Sequence, residues 1–232
     1  MTTAHKLVLP LNLETSFVTM ENPSLKGAEK KIAQLNLLLE PVVFWKQTRI
    51  NTVTENSIIL TDDAPEIYSR YITNALRDSL EVTVFAATIG NKLPAHSSKC
   101  YKAGLLWEST ITDIFGSFAV EHLTEKLKQH LRQVFLPRGL YPSLPFSPGY
   151  GDWSISSQKS ILKYLQTTPE IEVTADHYLV PVKSITAVIG WLPRPAVKIY
   201  PAASTDFTAA NCGFHKECST CPHKTCPKYP PK

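Results

Sequence analysis

The stretch LLWESTITDIFGSFAVEHLTEKLKQHLRQVF, residues 105–135, decides how this chain folds. Ile111, Phe115, Phe118, Leu123, Leu127 and Leu131 keep one apolar stripe, while Glu121, Glu125, Lys126 and Lys128 fall off it. That is the period of an amphipathic helix, so a long central helix is expected, ended by Pro137 and Gly139.

Upstream, Leu7–Leu11 is a short apolar stretch, and Ala28, Ile32, Leu35 and Leu39 recur at helical spacing between Ser24, a candidate cap, and Pro41, a candidate stop. Residues 42–45, 49–53 and 57–60 then read as short strands rich in β-branched and aromatic side chains. Asp62, Asp63 and Pro65 suggest the start of a second helix, with Tyr68, Tyr71, Ile72, Ala75 and Leu76 on one face. Glu81–Phe85 reads as a strand, and the stretch from Gly90 through Asn91 and Pro94 to His96 as a loop. Cys100 would sit in a polar loop without a role.

Downstream of the long helix, residues 141–151 are so dense in proline and glycine that a loop is expected, followed by a helix over about 156–166. Residues 178–182, 185–189 and 197–200 read as further strands. Strands at both ends with helices between them imply an α+β fold, an antiparallel or mixed sheet around the long central helix. The expected domain covers residues 1–201, with a small polar linker at 202–211 and a cysteine-rich tail at 212–232.

Composition narrows the function. The hydrophobic fraction of 43% in 232 residues is that of a chain with a real core, and no uncharged run reaches the roughly 18 residues of a membrane span. The N-terminus lacks a basic segment followed by an apolar one, so a cytoplasmic protein with no membrane partner is expected. The tail contributes +3 of the formal +4, through Lys216, Lys224, Lys228 and Lys232 against Glu217. The body is then almost neutral, which argues against duplex binding. No Ser-His-Asp set, Walker loop or dinucleotide glycine motif is present.

Three patches carry a resemblance. Ser147-Pro148-Gly149-Tyr150-Gly151-Asp152 is the most specific, Asp113 to Glu121 with Gly116-Ser117 between them is the second, and Ala87-Thr88-Ile89-Gly90 is the third, joined by Lys183–Gly190. In this order they resemble the activation domain of cobalamin-dependent methionine synthase, in a free-standing short form, over roughly residues 50–192. The resemblance implies a reductive activation partner for a cobalamin-dependent methyltransferase or other corrinoid protein. Such a domain presents S-adenosylmethionine to cobalamin carried by the partner. It further implies ligand contacts from Ser147, Pro148, Gly149, Tyr150, Gly151 and Asp152, with Asp113 and Glu121 as further candidates. One departure stands out: where the family places an arginine three residues before the loop proline, to grip the ligand carboxylate, this chain has Pro145.

The residues alone allow plainer readings. Pro148-Gly149 is a strong turn-maker, Gly116 inside a helix fits close packing, and Asp113 and Glu121 fit solvated helix charges. Glycine's missing Cβ does, however, suit a loop whose backbone approaches a ligand.

Cys212, Cys218, Cys221 and Cys226 place four thiols within fifteen residues. Clustering of this kind points to a metal rather than to a disulfide framework. Only Cys218 and Cys221 form a tight pair, and Pro227 follows the last cysteine as in ferredoxin runs, which favours an iron–sulfur cluster; His215 and His223 keep zinc open. Two further functions follow from that tail: an iron–sulfur electron-transfer or corrinoid-reducing protein without S-adenosylmethionine, fed by an electron donor, or a zinc-knuckle RNA-binding module.

Overall fold

The computed structural model describes residues 4–14 and 27–193. Ser24, the 197–200 segment, the linker and the cysteine tail lie outside the described residues. The elements in chain order are β1 (His5–Leu7), α1 (Glu29–Asn36), β2 (Val42–Val53), β3 (Ser57–Leu60), β4 (Ile67–Tyr68), α2 (Arg70–Leu76), β5 (Glu81–Thr88), α3 (Lys92–Lys102), α4 (Leu106–Phe135), β6 (Tyr141–Phe146), α5 (Ser157–Leu165), β7 (Glu172–Val173), β8 (Leu179–Val180) and β9 (Ser184–Leu192). The main sheet runs β4-β3-β2-β5-β9-β6, with β1 also on β2, and every pairing in it is antiparallel. The expected α+β class with a long central helix is what the chain forms.

Two helical layers explain why the central strands are apolar throughout. Alternate residues of a strand face opposite sides of a sheet. Phe85, Ala87, Ile189 and Trp191 meet Ile111, Phe115, Ala119, Leu123, Leu127 and Leu131 of α4, together with Ile32 and Leu35 of α1. Val82, Val84, Ala86 and Val188 meet Ile72 and Leu76 of α2 and Ile161 and Leu165 of α5 on the other face. Among the described residues, no helix is long and apolar enough to cross a membrane.

The structure corrects several local expectations. Residues 42–53 form one strand, because its polar middle is paired: Lys46 lies over the Tyr164 ring, 4.3 Å from its centroid, and Thr48 donates to the Thr61 carbonyl at 2.9 Å. Asp62–Pro65 do not open α2; β4 intervenes, and the cap is Ser69, whose hydroxyl accepts from the Ile72 N–H. The stretch expected as a loop to His96 is largely α3, since Pro94 falls in its first turn, where no N–H is required. Cys100 is therefore helical and buried. Residues 141–146 form β6 despite Pro142 and Pro145, because β6 lies at an edge of the sheet and, among the described residues, pairs with β9 alone. Of residues 178–182 only Leu179–Val180 is strand, and it pairs with β7 in a separate two-stranded sheet.

Candidate functional site

The chain leaves β6 at Phe146 and turns through Ser147–Asp152. The Tyr150 N–H donates to the Ser147 carbonyl (3.0 Å), the Gly149 N–H to the Trp153 carbonyl (2.8 Å) and the Trp153 N–H to the Tyr150 carbonyl (3.0 Å). Pro148 is buried, and Trp153 sits in the core between sheet, α2 and α5. The turn is therefore pinned at its base. Its tip consists of Gly149 and Tyr150, the latter 39% exposed.

The two glycines serve different ends. Gly149 has φ of 97°, and a Cβ there would make an ordinary van der Waals contact with Ile155 Cδ1 at 3.4 Å, so no neighbour excludes a side chain. Gly151 has φ of 58°, and a Cβ would lie 2.9–3.1 Å from the Tyr71 ring and its Cβ. Only glycine lets the loop close on α2 there.

Asp152 is also directed inward. Its carboxylate accepts from the Ser69 hydroxyl, from the Arg70 N–H at 2.9 Å and from the Tyr71 N–H at 3.2 Å, capping α2 from another part of the chain. Partial burial works to raise its pKa, but those three donors outweigh it and hold the carboxyl below the ordinary aspartate range.

Tyr150 faces the other way. Burial of part of the ring, and then the negative charge of Glu121, push its phenol above the usual tyrosine value. The loop and α4 thus meet electrostatically at Tyr150 and Glu121. One and two turns back along the same helix face lie Ser117 and Asp113. Lys183, just before β9, donates to Ser117 Oγ (2.8 Å) and pairs with Asp113 (2.8 Å). Gly116 explains the approach: a Cβ would fall 2.7 Å from Leu93 Cδ2 and 3.2 Å from Lys183 Cγ, so its absence lets the lysine stem cross the helix.

Of the residues expected at the site, Tyr150 feels the charge of Glu121. Asp113 is joined to Lys183, and Asp152 is turned toward α2. Lys183 and Ser117 are the additions, and the signal for Lys183 was its place at the head of the Lys183–Gly190 patch. Pro145 lies in β6 opposite Ile189. Arg138, the cation nearest in sequence, is at the far end of that strand, where it donates to Glu81 and lies 5.1 Å from the Phe135 ring centroid. In the cleft there, lined by Gln47, Arg49, Asp62, Glu81 and Arg138, Glu81 is paired with Arg138 and accepts from Gln47, and Asp62 accepts from the Thr61 hydroxyl; the cleft lies at the end of β6 away from the loop.

No described protein family matches the sequence, and no curated protein matches it. Among solved structures the chain is similar to the MetH reactivation domain bound to AdoHcy, with a TM-score of 0.63 and 12% identity, over 90% of this chain and 83% of that one. At this identity the likeness is one of fold.

Proposed function

We propose that the chain is the activation partner of a cobalamin-bearing methyltransferase of the methionine synthase type, docking over the corrinoid that the partner holds and serving its return from the cob(II)alamin state. The observation that supports this is the shared fold with a reactivation domain, combined with a pinned loop whose outermost groups are the Gly149 backbone and the Tyr150 ring. A rigid aromatic at the tip of a fixed turn gives contact area at low entropic cost.

Among the described residues, neither the motif position nor the cations on its strand and beside α4 supplies a free grip for the carboxylate of S-adenosylmethionine. Pro145 carries no charge, Arg138 is paired at the other end of β6, and Lys183 is held by Asp113 and Ser117. Arg194 lies outside the described residues. The proposal therefore runs through docking on the corrinoid partner, with S-adenosylmethionine bound weakly.

The same missing grip favours a second reading, an iron–sulfur protein that delivers electrons to the corrinoid without S-adenosylmethionine. Cys212, Cys218, Cys221 and Cys226 have the donor chemistry for such a cluster. Anaerobically purified protein would then contain iron and sulfide, whereas stoichiometric zinc without iron would remove this reading.

The docking proposal is tested by mixing the full chain with the isolated cobalamin module of a methionine synthase in its cob(II)alamin state. Co-elution and a saturable change in the visible spectrum are expected. Separate elution with an unaltered spectrum would contradict it.

A further inference from the structure

We propose that His96, Cys100 and Glu108 form a binding site for a single zinc-class divalent cation, distinct from the tail cysteines. His96 and Cys100 stand four residues apart on α3 and so share one face, and Glu108 comes from the first turn of α4, which folds back against it. Cys100 Sγ lies 3.6 Å from His96 Nε2 and 3.9 Å from a Glu108 carboxylate oxygen, and all three ligand atoms fall within 4.8 Å of one another. Zinc–sulfur and zinc–nitrogen bonds of about 2.3 and 2.05 Å at a tetrahedral angle put S and N about 3.6 Å apart. The thiol and imidazole are thus already at the separation a shared cation requires.

The site is held in place by its neighbours. Ser97 Oγ donates to the Ser109 carbonyl and Ser109 Oγ to the Ser97 carbonyl, each at 3.1 Å, a reciprocal clasp that adjoins both His96 and Glu108. The Leu105 N–H donates to the Cys100 carbonyl at 2.9 Å and fixes the turn between the helices. Cys100 is buried, while His96 and Glu108 are half-buried, so the soft ligand lies inside and water can reach the fourth position.

Ligand chemistry selects the ion. One thiolate, one imidazole and one carboxylate suit zinc or cobalt, and two negative ligands neutralise a dication. Lys31 Nζ sits 2.6 Å from Glu108 Oε2, the same oxygen that faces Cys100, so a cation would be met by a turn of the carboxylate that hands the lysine to one oxygen and the ion to the other. A carboxylate has two oxygens and a soft terminal torsion, so one can bind the cation while the other keeps the lysine, as an outer partner often does at metal sites.

The test uses the full chain with Cys212, Cys218, Cys221 and Cys226 changed to serine, stripped with a chelator and titrated with cobalt(II) alone. One equivalent should bind, with a thiolate-to-cobalt charge-transfer band and the visible bands of a tetrahedral site, and one equivalent of zinc should displace it. Cys100→Ser should abolish the charge-transfer band. His96→Gln, at a half-buried position that the core does not need, should weaken binding without lowering the melting temperature. Absence of saturable cobalt binding, a band that survives Cys100→Ser, or an affinity unchanged by His96→Gln would each overturn the proposal.

Discussion

The loop after β6 and the hairpin between α3 and α4 both gather polar groups, and they dispose of them in opposite ways. In the loop, the acid is turned inward: Asp152 caps α2 through three donors, and Gly151 exists so that the chain can press on Tyr71. Only the tip, Gly149 and Tyr150, remains for contact. In the hairpin, the thiol, imidazole and carboxylate face one another, and their outside partner is Lys31 on Glu108. A residue inside a recognisable motif is thus not thereby free for chemistry, and the satisfied groups have to be set aside first.

The strongest way to break this division is to substitute the two glycines in turn. Gly151→Ala combines a left-handed backbone with a Cβ against Tyr71 and is expected to cost about 3 kcal/mol. Gly149→Ala, whose Cβ would make only an ordinary contact with Ile155, should cost about 1–2 kcal/mol, that of its backbone alone. Urea unfolding of both variants measures this, and equal losses would mean that the inward half of the loop is no tighter than the outward half.

The ligand role of the outward half can be sharpened by restoring what the sequence lacks. Pro145→Arg on the outer strand should strengthen S-adenosylmethionine binding by about 1.5–3 kcal/mol, the worth of hydrogen bonds to a charged group. Titration calorimetry of both proteins decides it. Unchanged binding would place any S-adenosylmethionine site away from this loop.

How far these regions were legible in the sequence depended on how far apart their partners lie. The α4 stripe from Ile111 to Leu131 was legible because a helix writes its buried face into its own period. β6 was not, because Pro142 and Pro145 read as turn residues, and nothing local says that a strand will be an edge. The Ser147–Asp152 loop was legible as a contiguous motif. Its division was not, since Asp152 meets Ser69, far away in the chain. The hairpin cluster was hidden by Gly90 and Pro94, which read as a loop to His96 and took the helical i, i+4 spacing of His96 and Cys100 out of view.

A smaller effect is expected from the inward acid. Asp152→Ala should lower stability by about 1 kcal/mol, as the loss of a helix cap does. Because the folded-state pKa of Asp152 is depressed, its contribution is fully present above the unfolded aspartate value and is lost as pH falls through the folded one. The gap between wild type and variant should therefore close below about pH 4, and a gap that persists in acid would show that the charge is not what caps α2.

The central claim, that the loop tip is the surface that meets the corrinoid partner, is tested most directly by Tyr150→Ala. The variant and the wild type are each mixed with the cobalamin module of a methionine synthase in its cob(II)alamin state, together with S-adenosylmethionine and a low-potential reductant. The cob(II)alamin absorption is followed, and melting temperatures are measured alongside. The wild type is predicted to drive loss of the cob(II)alamin spectrum, and the variant to fail at this with its melting temperature nearly unchanged, since Tyr150 is 39% exposed. A variant as active as the wild type, or one that loses activity only because it unfolds, would contradict the claim.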